Sequence, residues 1–199
     1  MDSQVLESTR PFGATMIEVG DFVGYRARNT GSFHVDSPVE TVFPLFGPAE
    51  EARWAPGWQP HWLFPERSIA ESHTPERGWV FKTSRRSPEE RVWFVEKFDP
   101  VGHQAVYRVH WPGHMIYRIE VTSVPSENPK SRKSGTLTTV AYDFIGVSEG
   151  GNREVRKKTA HPKEYAREMK RWARFITHCL QRAKTRRHDH PQATAETTY

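Results

Sequence analysis

A chain of 199 residues is enough for one domain with a real core, with or without tails, and too short for two full domains. Its composition, with 27% charged, 12% aromatic and 36% hydrophobic residues, is polar for a compact globule, so part of the chain is expected in solvated tails. No run of about 18 apolar residues occurs, residues 1–13 lack the basic opening and apolar stretch of a signal peptide, and the single cysteine, Cys179, cannot form an internal disulfide; a cytoplasmic location is expected.

Residues 1–28 show no sustained period and read as an N-terminal extension, so the folded unit is expected to span 29–186. Phe33 and Val35 alternate with polar neighbours and predict a strand. Ser37, Pro38 and Glu40 then stand where a capping box would place them, with Ser37 as N-cap, Pro38 at the first helical position and Glu40 three residues after the cap. Val39, Val42, Phe43 and Phe46 would form the apolar face of that helix, which Gly47 and Pro48 break. A second short helix is predicted over 48–54. It runs into residues 53–62, RWAPGWQPHW, where Trp54, Trp58 and Trp62 sit among two prolines on a segment too broken for a regular core element.

From residue 78 the period is two. Stretches 78–83, 91–98, 104–111, 115–121 and 135–144 are β-branched and aromatic, and turn residues bound them, which predicts an antiparallel meander. Residues 112–113 and 99–102 read as tight turns and 125–134 as a longer polar loop. Tyr107, Val109 and Trp111 share a face with Met115, Tyr117, Ile119 and Val121, while Arg108, Arg118 and Glu120 point the other way. A last helix is predicted from 161 to 186, with Tyr165, Met169, Trp172, Ile176, Leu180 and Ala183 on one face. Cys179 falls on that apolar side, where a thiol behaves as a small hydrophobe. Residues 187–199 are polar and expected to be a disordered tail.

The formal charge of +5 is uneven. Residues 153–187 hold thirteen Lys/Arg against three Glu, and the remainder holds sixteen basic against twenty-one acidic residues. Lys163, Arg167, Lys170, Arg171, Arg174 and Arg182 place this excess on the polar face of the last helix, where it reads first as a solvated surface. The stripe would attract phosphate but carries no base-reading motif, which argues against nucleic acid as the main partner. His110 and His114, flanking a turn, and His188 and His190 in the tail lack partners at zinc spacing, so no metal is expected. There is no Gly-rich phosphate loop, nucleophile elbow or Cys/His pairing, and no cofactor is called for. Asp143 and Glu96 are the acids most embedded in apolar sequence, and alternation puts them opposite Tyr142 and Phe144, and opposite Trp93 and Val95.

The element order, one strand, two short helices, an antiparallel meander and a long C-terminal helix, resembles the α+β helix-grip fold of the START-like, or SRPBCC, superfamily. Birch-pollen-allergen-like proteins, polyketide cyclases and lipid-transfer domains belong to it. Residues 33–43 resemble its usual opening, and 53–65, RWAPGWQPHWLFP, resemble a segment of bacterial polyketide-cyclase-like members. The resemblance implies a curved sheet wrapped around the long helix, with a cavity between them for a hydrophobic or aromatic, lipid- or polyketide-like molecule. On that reading Trp54, Trp58 and Trp62 would lie at the cavity mouth, their indoles rigid and apolar with an N–H to spare. Trp79, Phe81, Tyr107 and Trp111 are expected beside them, as are Tyr117, Met169 and Trp172. The alternatives are a cyclase or dehydratase using polar cavity residues, and a protein or nucleic-acid interaction module acting through the basic helix. A homodimer is left open.

Overall fold

The computed structural model describes residues 15–19, 22–83, 90–128 and 132–189. Most of residues 1–28 and 187–199, assigned above to the extension and the tail, lie outside these, but Thr15–Val19 forms strand β1 and β2 spans Phe22–Val35. The first long strand therefore begins well before the alternation at Phe33. Gly24, Ala27, Asn29 and Gly31, all weak strand formers, hide its earlier half from a sequence reading.

Next come a helical turn, α1 (Val39–Val42), a 3-10 turn over Phe43–Phe46, and α2 (Pro48–Glu51). The capping box expected at Ser37 does not form. Pro38 is the N-cap, with no side-chain bond, and the Ser37 carbonyl instead accepts from Thr136 Oγ1 at 2.7 Å. Pro44, which has no N–H to donate, ends regular α-helix after one turn. Strand β3 (His61–Phe64) and helix α3 (Arg67–Ser72), neither anticipated, precede β4 (Val80–Thr83).

The meander then runs as expected through β5 (Arg91–Asp99), β6 (Gln104–Trp111), β7 (Met115–Glu127) and β8 (Ser134–Gly146). Along β7 every second residue from Met115 to Ser123 is buried, the mark of a strand with one wet face. All pairings are antiparallel, in the order β1-β2-β8-β7-β6-β5-β4-β3.

Helix α4 (Glu149–Thr159) was not anticipated either, because two glycines and a single large apolar residue, Val155, leave no amphipathic period. Its N-cap Ser148 accepts from the Gly151 N–H at 3.0 Å. The buried Asn152 ties the helix to β2, accepting from the Tyr25 N–H at 2.8 Å and donating to the Val23 carbonyl at 2.9 Å. Helix α5 (Pro162–Asp189) packs on β2 and buries Met169, Ile176, Cys179 and Leu180. It approaches so closely that a Cβ on Gly31 would stand 2.9 Å from both Met169 Cγ and Tyr165 Cε1. No helix among the described residues is long and apolar enough to cross a membrane.

The outer face of the sheet is a ladder of charges. Asp143 pairs with Arg26, Glu120 with Arg28 and Arg118, and Glu96 with Arg108 and Arg118. The hydrogen bonds from Arg26 hold the Asp143 carboxyl below the usual aspartate range, against an opposing cost of burial. A depressed native value means that the contribution is present above the unfolded value of about 3.9 and fades as the pH falls through the native one. Because the pair is partly exposed, Asp143→Asn is expected to cost at most about 1 kcal/mol at neutral pH. In urea denaturation at stepwise lower pH, its difference from wild type should shrink, and a constant difference would contradict this account.

Candidate functional site: a cavity between sheet and helix

Inward residues of the sheet are large and flat, and a curved sheet that closes on one helix with such residues cannot fill all the space beneath it. A cavity of about 370 Å³ remains. Its wall is formed by Trp93, Trp111, Tyr117, Tyr142 and Phe144 from the sheet, Trp58 from the segment after α2, and Tyr165, Met169 and Trp172 from α5. Asn29 and Thr83 add polar atoms, and Glu51, Arg91, Lys158 and Glu168 add charge.

Of the ten residues expected at the cavity, Trp58, Trp111, Tyr117, Met169 and Trp172 line it. The structure places the other five behind or beside that wall. Trp54 is buried, donates its indole N–H to the Leu45 carbonyl at 2.7 Å and meets Trp172 edge-on at 5.4 Å. Tyr107 borders a smaller void of about 20 Å³ shared with Trp172, and its hydroxyl donates to the Phe46 carbonyl at 2.7 Å. Trp62, Trp79 and Phe81 form an aromatic cluster at the β3–β4 end, with Trp62 perpendicular to Trp79 at 5.9 Å and Phe81 stacked on Trp93 at 5.5 Å. The tryptophan-rich segment is thus divided in function. Trp54 plugs, Trp58 faces the cavity while donating to the Pro48 carbonyl at 2.7 Å, and Trp62 belongs to β3.

Asp143 and Glu96, the acids singled out from sequence, both point away from the cavity into the charge ladder. The ionisable groups that do reach the cavity are others. Arg91 was legible in principle, since it shares parity with Trp93 and Val95 on β5; its guanidinium lies over the Trp111 ring at 4.3 Å. Lys158 closes the last turn of α4 and carried no signal, because that helix had none. Its ammonium is held below the usual lysine range, first by crowding from protein atoms and next by the Arg91 charge. The residue keeps considerable solvent exposure, which screens both effects.

Burial raises the hydroxyls of Tyr117, Tyr142 and Tyr165 above the ordinary tyrosine value, so all three stay protonated and able to donate at neutral pH. Tyr165 donates to the Val140 carbonyl at 2.9 Å. Among the described residues, the Tyr117 and Tyr142 hydroxyls have no protein hydrogen-bond partner. Also among the described residues, no cluster of three or more His, Cys, Asp or Glu could hold a metal ion.

A sheet gripping one long helix around an aromatic-walled cavity defines the class, a helix-grip domain. No protein-family model and no curated protein matches the chain, but solved structures do. Ara h 8.0201 aligns with a TM-score of 0.51 at 9% identity, over 76% of this chain and 97% of that one. A point mutant of norcoclaurine synthase from Thalictrum flavum, in complex with a transition-state analogue, aligns at 0.53 and 10% identity over 80% and 96%. The same enzyme with dopamine and hydroxybenzaldehyde aligns at 0.52 and 9% over 79% and 87%. This chain has the helix-grip fold.

Proposed function

We propose that the protein binds a hydrophobic or aromatic small molecule in the cavity between its sheet and α5. The observation that carries this reading is the wall itself. Trp58, Trp93, Trp111 and Trp172 surround about 370 Å³ together with Tyr117, Tyr142 and Phe144. Flat, rigid side chains lose little entropy on binding and offer large apolar contact. The volume is near the small end of the roughly 300–1,000 Å³ range of ligand sites, which favours a compact ring system over a long acyl chain. The helix-grip neighbour solved with dopamine and hydroxybenzaldehyde supports the same size class.

Turnover is the second reading, and the ionisable groups at the cavity favour it. Its acid–base candidates are now Lys158, Glu51 and Glu168 rather than Asp143 and Glu96. No residue of the basic stripe of α5 lines the cavity, and the stripe takes no part in either reading.

Native mass spectrometry of freshly purified protein, before and after denaturation, tests the proposal by looking for a stoichiometric apolar adduct. A second test is Trp58→Ala. Because Trp58 is only half-buried, its loss should lower stability less than the roughly 3–5 kcal/mol of a fully buried Trp→Ala change, while 2-naphthaleneacetamide affinity falls about tenfold or more. Parallel small losses in melting temperature and affinity would make Trp58 a packing residue only.

A further inference from the structure

The cavity is chemically two-ended, and its ends follow from sheet register. On the inner face, one cross-strand row is Tyr142, Ile119 and Tyr107, and the next is Phe144, Tyr117, Val109 and Trp93. The row beyond holds Met115 and Trp111, followed by Arg91 paired with Thr83. Inward positions on one strand are about 7 Å apart, so Arg91 stands two positions, or about 14 Å, from Val95, which faces Tyr107. Glu51 lies at the Tyr107 end, beside the small void that Tyr107, Tyr142 and Trp172 share.

The two ends also differ in how their charges are engaged. Glu168 accepts from Trp172 Nε1 at 3.1 Å and pairs with Arg171, and Glu51 is likewise engaged. Among the described residues, no carboxylate forms an ion pair with Arg91 or Lys158. Arg91 has only the Trp111 face beneath it, and Lys158 is fixed through its backbone carbonyl, which accepts from Asn29 Nδ2 at 3.1 Å. Lys158 feels the Arg91 charge, which Glu154 and Glu168 offset in part without forming an ion pair to it, and the protonated Tyr117 hydroxyl, near enough to feel Arg91, has no protein hydrogen-bond partner among the described residues. Two cations without an ion pair and one spare donor around an apolar void present the complement of one anionic, oxygen-rich group.

We infer that the ligand is an aromatic or alicyclic carboxylate, its ring system held among the tryptophans and its carboxylate at the Arg91 end, within reach of the Lys158 ammonium and the Tyr117 hydroxyl. The inference rests on the cavity being the binding site, as proposed above. It adds the sign of the ligand's charge and the end at which that charge lies.

The test uses two probes that differ only in charge, 2-naphthaleneacetate and 2-naphthaleneacetamide. Each is titrated into the full chain near pH 7.5 and followed by calorimetry, with quenching of tryptophan fluorescence as a second readout. Wild type should prefer the acid by about tenfold or more. That ratio should fall in Arg91→Gln and in Lys158→Gln, and approach unity in the double variant. Tyr117→Phe should weaken acid binding severalfold without lowering the melting temperature, because no protein hydrogen bond is lost with its hydroxyl.

Equal affinity for both probes in wild type would overturn the inference and leave the binding function standing. An acid preference that survives in the double variant would also overturn it. If neither probe binds at millimolar concentration, the cavity is not the site, and both readings fall together.

Discussion

Gly151→Ala should be the most disruptive single-methyl substitution in this chain, lowering stability by about 3 kcal/mol or more. A Cβ on Gly151 would fall on the carbonyl oxygen of His114, in the turn between β6 and β7. That oxygen accepts the Val147 N–H at 2.9 Å, and Ser148 donates to the Gly113 carbonyl at 2.6 Å, so the turn is clamped and cannot retreat. The obstacle is backbone on both sides rather than the end of a flexible side chain. Relief would require α4 to lift, breaking the Asn152 bonds to β2 and displacing Lys158 at the far end of the same helix. Chemical denaturation of the purified variant provides the measurement. A loss under about 1 kcal/mol would mean that the helix docks less rigidly than these contacts require.

Phe81→Ala is expected to cost about 3–5 kcal/mol, the range for emptying a fully buried aromatic position. Phe81 is 0% exposed and lies within 5.3–6.0 Å of Trp62, Trp93 and Trp58, ring centre to ring centre. Two of those neighbours, Trp58 and Trp93, also line the cavity, so the loss should spread into the site. Trp93 is held from one side by stacking on Phe81 and from the other by donation of its indole N–H to Thr83 Oγ1 at 2.9 Å. Without Phe81 the ring loses its stacking partner and keeps only the hydrogen bond and its edge-on contacts with Trp58, Tyr107 and Tyr117. The variant should bind 2-naphthaleneacetamide more weakly than wild type even at a temperature where both are folded. Phe81→Leu, which keeps most of the volume, should recover most of the stability. Unchanged affinity in a folded Phe81→Ala protein would show that the cavity wall does not need its aromatic backing.

The two substitutions mark how far the residues could be read without a structure. Phe81 was legible as a strand residue, and Tyr107, Trp111 and Tyr117 as members of one inward face, because side chains alternate strictly on a strand and each inward residue reports the next. Gly151 was invisible in its role. Helix α4 buries little apolar surface and holds its place through Ser148 and Asn152, whose partners are backbone groups far along the chain. Ser37 misled for the opposite reason. Its local pattern suited a cap, but tertiary hydrogen bonding to Thr136 claimed its carbonyl, and Pro44 ended the helix early.

Local sequence determined the inner and outer faces of the meander, the apolar stripe of α5 and the order in which the meander precedes the long helix, because each depends on periods of two or 3.6 that neighbouring residues carry together. The cavity and its polarity were decided only by the tertiary structure. A void exists where the sheet's curvature and the distance to the helix leave more space than the inward side chains fill, and neither quantity is written in any short stretch. The same holds for the meeting of Arg91, from the start of β5, with Lys158, from the end of α4. Only register and helix docking bring these distant residues to the wall of one cavity.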